Sequence, residues 1–331
     1  MKTRKERRIN FTNKTIVITG ASSGAGRAMA VELAKYGAKL VLVARRVDAL
    51  KEVVQQCNEL GGLALAMPAD VRDADALKDI AAKANEFGGR IDVWINNAGV
   101  LAAGDFTETP TEIHEQVIHT NLLGYLYGAH AVLPYFKQQK HGTLINNVSV
   151  GGWMPVPYGV AYSASKFGLT GFSEALRGEL TKYRYIRICD LFPAFLDTPG
   201  IQHAANYTGK ILKPAPPVYD PQEVARAVVS VVNRPRRSVT IGSVSTLLKI
   251  ANAVAPTLTR TITAKLVEGY LKVAEPTEHT SGNIMKPVDY GTGIHGGWSV
   301  RLSPSPRSAI GAAFLASVAA AFFITRSQVS K

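Results

Sequence analysis

The chain of 331 residues reads as an α/β protein built on a doubly wound, mainly parallel sheet. Three observations predict that class. Short β-branched or apolar runs alternate with helical patterns over roughly 230 residues, the rhythm of parallel strands covered by helices. A glycine-rich turn joins the first strand to the first helix. Polar residues follow the ends of several strands, where ligands sit in such sheets.

Thr15 to Thr19 is β-branched and apolar, as a buried strand requires. Gly20-Ala21-Ser22-Ser23-Gly24-Ala25-Gly26 follows at once, and Arg27 to Tyr36 has helical periodicity. Strand, glycine turn and helix in that order are the context of a phosphate loop. Its glycines let a pyrophosphate approach amide N–H groups at a helix N-terminus. Lys39 to Ala44 forms the second strand and ends in Arg45-Arg46. An acidic residue usually stands here to bind a ribose 2′-hydroxyl, whereas arginine accommodates a 2′-phosphate. Ala44 occupies that position, which favours NADP over NAD.

Leu63 to Met67 reads as the third strand, with Asp70 and Val71 at its end. Val93 to Ile95 leads into Asn96-Asn97-Ala98-Gly99, and Leu144 to Val148 leads into Ser149. Ile186 to Phe192 precedes Pro193, and Ser238 to Ile241 is a last short strand. Helical patterns intervene at 48–60, 73–87, 111–138, 162–183 and 220–233. Asp220 caps the last of these, with Pro221 at the first helical position. In the 162–183 pattern, Tyr162 and Lys166 stand four residues apart and share one face. An ammonium beside a phenol lowers the phenol's pKa from about 10, which suits proton exchange with a carbonyl.

These residues resemble the short-chain dehydrogenase/reductase family. The match comprises Thr19-Gly20-x-x-x-Gly24-x-Gly26, Asn96-Asn97-Ala98-Gly99, Asn121, Ser149 and Tyr162-x-x-x-Lys166, within residues 12–245. The resemblance implies a Rossmann-like fold and a hydride exchanged between a nicotinamide and a carbonyl or alcohol carbon. It implies Tyr162 as general acid/base, with Lys166 depressing its pKa and binding the nicotinamide ribose. Ser149 would hydrogen-bond the substrate oxygen, and Asn121 would hold a water of the proton relay. Asp70 and Val71 would flank the adenine, while Asn97, Leu196 and Thr198 would line the cofactor. Ala25 stands where Ile is common and Ala194 where glycine often follows the proline. Looser packing under the loop and an altered backbone at the nicotinamide are the expected results.

The segment from Leu196 to Pro217 would close over a small-molecule substrate, and its Ile201, Tyr207, Ile211 and Leu212 point to a lipophilic one. A homodimer or homotetramer, paired through 111–138 and 162–183, is also implied. The alternatives are an NAD-dependent alcohol dehydrogenase and a non-catalytic nucleotide sensor or scaffold with the same fold. Ser163-Ala-Ser-Lys166 matches the S-x-x-K of serine β-lactamases, but no S-D-N or K-T-G accompanies it. Seven scattered histidines and two thiols, Cys57 and Cys189, offer no metal spacing and fit a reducing compartment.

The net charge of +13 is concentrated at the ends. Residues 1–10 hold five basic groups against one acidic, and residues 243–331 hold nine against four. Such charge attracts anionic lipid or nucleic acid, but no interleaved aromatic or helix-turn-helix pattern supports nucleic acid. No apolar core follows the basic segment 1–11, so no signal peptide is expected and the catalytic body is expected to be cytoplasmic. After residue 245 come a helical extension at 246–275, broken by Pro256, and an irregular linker at 276–308. Residues 309–325 form a candidate membrane-anchoring helix. Its uncharged core, Ala309 to Ile324, would span about 24 Å against ~30 Å of hydrocarbon, a borderline length.

Overall fold

The computed structural model describes residues 9–298. The candidate anchoring helix at 309–325 lies outside the described residues, as does most of the basic N-terminal segment. Among the described residues no helix is long and apolar enough to cross a membrane.

The first half comprises β1 (Thr15–Thr19), α1 (Gly24–Ala34), β2 (Lys39–Ala44), α2 (Val47–Glu59), β3 (Leu63–Pro68) and α3 (Ala74–Gly88). Next come β4 (Val93–Asn96), β5 (Ala102–Gly104), α4 (Thr111–Ile118), α5 (Gly124–Gln138), β6 (Gly142–Asn147) and α6 (Val160–Glu179). The remainder is β7 (Ile186–Pro193), β8 (Ala205–Tyr207), α7 (Gln222–Asn233), β9 (Ser238–Ile241), α8 (Ser243–Val254) and α9 (Pro256–Val273). Seven strands make one sheet in the order β3-β2-β1-β4-β6-β7-β9, each pair parallel.

Alternate side chains of each central strand feed opposite faces of the sheet. Ile16, Ile18, Leu40 and Leu42 pack on one face with α1, α2 and α7 residues such as Met29, Leu50 and Val228. Val17, Val41, Val43 and Trp94 pack on the other with Ile80, Val132 and Leu176 from α3, α5 and α6. Burial on both faces is why these strands read as continuous apolar runs rather than alternating ones. The chain moves outward from β1 to β3 and returns to β4, so a crevice opens at the carboxyl ends of β1 and β4.

Several elements differ from expectation. The 111–138 pattern is not one helix, because a π-turn at His119–Leu123 separates α4 from α5. The small parallel pair β5–β8 was not legible, since three residues per strand carry no period. Helix α7 begins at Gln222, one residue later than predicted, with Asp220 Oδ1 accepting from the Gln222 amide at 2.9 Å. Pro256 divides the extension into α8 and α9, as expected. Residues 276–298 contain no helix, yet they are hydrogen-bonded to the catalytic body instead of standing clear of it.

Beneath the sheet a chain of buried polar side chains fastens α6 to three strands. Trp94 Nε1 donates to Asn96 Oδ1 at 2.8 Å, and Asn96 Nδ2 donates to Asn146 Oδ1 at 3.0 Å. Asn146 Nδ2 donates to Ser173 Oγ, and Ser173 Oγ donates to Asp190 Oδ1 at 2.7 Å. Arg177 Nη2 closes the chain on Asp190 Oδ2 at 2.7 Å. Burial pushes the Asp190 carboxyl up, while Arg177, Ser173 and Asn146 pull it down. Removing Arg177 would leave that buried carboxylate without its counter-charge. Arg177→Ala is expected to lower unfolding stability by about 3 kcal/mol in urea titrations, with part recovered on adding Asp190→Asn. A change below about 1 kcal/mol would mean that the pair is no more than a surface contact.

Candidate active site

The phosphate loop leaves β1 and enters α1 with its backbone nearly touching itself. A Cβ on Gly26 would lie 2.1 Å from Gly20 O and 2.6 Å from Asn97 Nδ2, so only glycine permits this approach. The N-terminus of α1, whose first amides have no intrahelical acceptors, faces a cavity of about 410 Å³. Gly20, Ser22, Ser23, Gly24, Ala25 and Gly26 line that cavity. Ala21 does not reach it; buried beneath the loop, it donates its amide to Val43 O at 3.1 Å. A glycine cradle, a helix N-terminus and nearby guanidiniums fit a dinucleotide phosphate.

Arg45 and Arg46 stand at the end of β2 on the same cavity. Arg46 Nη2 donates to Ser23 Oγ at 2.9 Å, tying the second strand to the loop. Burial lowers the pKa of both arginines from the usual guanidinium value. Asp70 and Val71 also line the cavity. Arg72 grips the Asp70 carboxylate through Nε at 3.0 Å and Nη2 at 2.6 Å. Burial opposes ionisation of Asp70, but the Arg72 hydrogen bonds and charge, helped by Arg45, outweigh it and hold the carboxyl below its ordinary range.

At the crevice between β1 and β4, Asn97 joins three strand ends. Its Nδ2 donates to Thr19 O at 3.0 Å and to Gly20 O at 3.2 Å, and its Oδ1 accepts from Asn147 Nδ2 at 2.8 Å. Asn147 was not singled out in the sequence, because an Asn at a strand end has no distinguishing pattern. Its carbonyl accepts from Tyr125 Oη at 3.0 Å and from Lys166 Nζ at 3.4 Å.

Ser149, Tyr162 and Lys166 meet on the cavity wall, the latter two from the first turns of α6. Ser149 caps the short 3₁₀ turn Val150–Gly152, its Oγ accepting from the Gly151 amide at 3.1 Å. Its φ of 115° is rare for a residue with a side chain, a strain typical of functional positions. Burial pushes the Tyr162 phenol up, opposed by a hydrogen bond to Ser149. Burial also drives the Lys166 ammonium down to about 7. The downward pull of Lys166 on the phenol, expected from their spacing, is thus not the dominant influence. Lys166 Nζ lies over the Tyr162 ring, 5.6 Å from its centroid, as well as over the Tyr125 ring.

Asn121 lies one layer behind the cavity, in the π-turn. Its Oδ1 accepts from the Val100 amide and its Nδ2 donates to Val100 O, both at 2.8 Å. A π-turn inside a helix is frequently a functional distortion, and this one swings Asn121 against the loop beneath the site.

Leu196 and Thr198 also line the cavity, with Phe195 and Ile201. Of the four apolar residues predicted between Leu196 and Pro217, Ile201 reaches the cavity; Tyr207 packs behind it in a separate apolar cluster, while Ile211 and Leu212 are not on its wall. Met154 and Val156 contribute to the wall near Tyr162, and α8 backs Met154 through Val244 and Leu248. Asn283, Pro287 and Val288 complete the rim. Sequence reasoning missed them, because a Gly- and Pro-rich stretch carries no signal of where it docks.

Residues 14–207 match the short chain dehydrogenase family. The chain is 31% identical over 288 residues to the uncharacterized oxidoreductase YxnA of Bacillus subtilis, covering 86% of this chain and 80% of that one. It is 37% identical over 207 residues to human dehydrogenase/reductase SDR family member 7, covering 61% and 60%. A metagenomic short-chain oxidoreductase solved with NADP superposes with a TM-score of 0.60 at 28% identity, over 70% of this chain and 97% of that one. An alcohol dehydrogenase from Thermococcus sibiricus, complexed with 5-hydroxy-NADP, gives 0.61 at 29% identity with the same coverage. With the parallel sheet, the glycine cradle and the Ser-Tyr-Lys wall in place, the chain belongs to the short-chain dehydrogenase/reductase family, a class of NAD(P)-dependent oxidoreductases.

Proposed function

We propose that this protein is an NADP-dependent reductase of lipophilic carbonyl compounds, or the dehydrogenase of the corresponding alcohols. The convergence of Ser149, Tyr162 and Lys166 on one wall of a cavity whose other end carries Arg45 and Arg46 supports this reading. When bound, the nicotinamide cofactor supplies or accepts the hydride. Ser149 positions the substrate oxygen by hydrogen bonding, and Tyr162 gives that oxygen its proton in reduction or removes it in oxidation. Lys166 would stabilise the phenolate that forms and would hold the cofactor's ribose. Asn121, held by Val100, orders the region behind Lys166 from which the proton is replenished.

Cofactor choice rests on the guanidiniums at the end of β2, with no carboxylate at Ala44 to receive a 2′-hydroxyl. NADP in two related structures is consistent with it. Met154, Val156, Phe195 and Ile201 supply an apolar wall near Tyr162, which favours a hydrophobic substrate. Exposed Val160 and Phe167 on α6 are apolar surface that a second copy of the chain would cover, in line with a homodimer or homotetramer. A membrane anchor at 309–325 remains a proposal from the apolarity of that run.

Turnover is tested by following NADPH oxidation across a panel of hydrophobic aldehydes and ketones. Tyr162→Phe is expected to lower kcat by about 10²–10⁴-fold, the range for a lost general acid. Absence of turnover by the wild-type chain over a broad panel would instead support the sensor reading. Arg45→Ala is expected to weaken NADPH by about tenfold or more while leaving NADH nearly unchanged, since a charge-assisted contact to phosphate is lost. Equal losses for both would remove the 2′-phosphate assignment.

The pH profile follows from the wall's burial. Lys166 is charged below about 7 and neutral above it, while the raised phenol keeps its proton through that range. Reduction needs both the phenolic proton and the cation. Its kcat/KM is therefore expected to be flat at acidic pH and to decline above about 7. Lys166→Met should abolish that inflection; a variant that retained it would place the titrating group elsewhere.

A further inference from the structure

Residues 276–298 return from α9 across the mouth of the dinucleotide cavity and are fastened at two ends. At one, Ile284 is buried with Val100, Ile113 and Val117, and the Asn283 amide donates to His203 O at 2.9 Å. At the other, the Trp298 amide donates to Asp197 Oδ1 at 2.7 Å and Trp298 Nε1 donates to Thr198 O at 3.0 Å. Between these anchors the strand of chain crosses the phosphate loop with its carbonyls turned toward the expected phosphate donors. Arg45 Nη2 donates to Asn283 O at 2.7 Å. Arg46 Nη1 donates to Val288 O at 3.2 Å and Tyr290 O at 2.9 Å. The Gly24 amide, in the first turn of α1, donates to Gly293 O at 2.9 Å.

Four carbonyls thus hold the two guanidiniums and the helix N-terminus in one arrangement, while the cavity persists beneath them. Of its five N–H donors Arg45 gives one to this stretch, whereas Arg46 gives Nη1 to two carbonyls and Nη2 to Ser22 and Ser23, so the bonds orient both arginines and leave Arg45 the main donor for a phosphate. Pro287 and Val288, from the same stretch, also line the cavity.

We propose that residues 283–293 are a clasp on the dinucleotide site: they lift to admit the cofactor, then close, and in closing set Arg45 and Arg46 for its 2′-phosphate. The proposal rests on the dinucleotide reading above but is tested by release rate rather than turnover. Gly291, substituted as Gly291→Ala, offers a way to unseat the clasp while the Ile284 packing and the Trp298 hydrogen bonds are left in place. Its φ is +65°, and an added Cβ would lie 2.3 Å from His203 Nε2 and 3.0 Å from Pro199 Cβ. Tyr290→Ala is a second route, removing the edge contact of its ring with His203.

Stopped-flow displacement, read by dihydronicotinamide fluorescence, measures NADPH and NADH release from the full chain and both variants, each first checked for a wild-type melting transition. The variants are expected to release NADPH about tenfold faster and to weaken NADPH more than NADH, because the arginines lose their orientation. Unchanged release of both nucleotides, or tighter binding in the variants, would overturn the clasp. Hydrogen exchange on the wild-type chain gives an arm independent of variant folding. Exchange at the amides of 283–293 should slow when NADPH is added, and faster exchange would show that the cofactor expels this segment. If the wild-type chain binds NADH but not NADPH, the cofactor proposal fails, and NADH release decides the clasp by itself.

Discussion

The buried polar chain from Trp94 to Arg177 is the constraint on which the rest of the structure depends. Parallel sheets covered on both faces are held mainly by apolar packing, which is non-directional and tolerates sliding. Asn96, Asn146 and Asp190 occupy matched registers on β4, β6 and β7, so their hydrogen bonds admit only one alignment. Ser173 and Arg177 then tie α6 to that alignment. The same helix carries Tyr162 and Lys166 at its other end. A registry set deep in the sheet therefore fixes where a phenol and an ammonium stand in the cavity. Leaving any member unpaired in such a dry setting is costly, which makes the arrangement all-or-none.

Burial also governs the chemistry of the wall. It raises Tyr162 and lowers Lys166, so each group is displaced toward its neutral form. A phenol alone would be too weak an acid at neutral pH, and a free lysine would stay fully charged. Burial therefore spreads their titrations apart, the phenol rising above its usual value while the ammonium falls to about 7, so that around neutral pH the lysine changes charge while the phenol keeps its proton. The adjoining Asn147 carbonyl, shared by Tyr125 and Lys166, orients the ammonium without neutralising it. Ser149 bears a backbone strain that places its hydroxyl beside the phenol, a cost borne by the rigid strand end beneath it.

The cofactor end is arranged differently. There the groups are charged and partly open to solvent, and their order comes from crossing chain segments. Arg46 links β2 to the glycine loop, Arg72 holds Asp70, and the C-terminal stretch lies over both arginines. Beyond α8 and α9 the chain supplies Asn283, Pro287 and Val288 to the cavity wall, so this later stretch is part of the cavity and not an appendage.

Much of this was legible in the sequence, and the physical reason is locality. The seven strands of the main sheet, the glycine turn, the Tyr162–Lys166 spacing and the Arg45–Arg46 pair all depend on residues near one another in the chain. Periodicity and turn chemistry report such features directly. What the sequence did not disclose depends on contacts between distant segments: the π-turn that isolates Asn121, the burial of Ala21, the pairing of β5 with β8, and the role of Asn147. The docking of residues 283–293 belongs with these. Irregular backbone has no repeat to read, and its carbonyls find donors only when another part of the fold presents them. By itself the sequence determined the fold class and named Ser149, Tyr162 and Lys166 as candidate reacting groups. The tertiary structure alone decided how buried those groups are, and which stretch of chain hydrogen-bonds to Arg45 and Arg46, because desolvation and long-range hydrogen bonds exist only once the chain has packed.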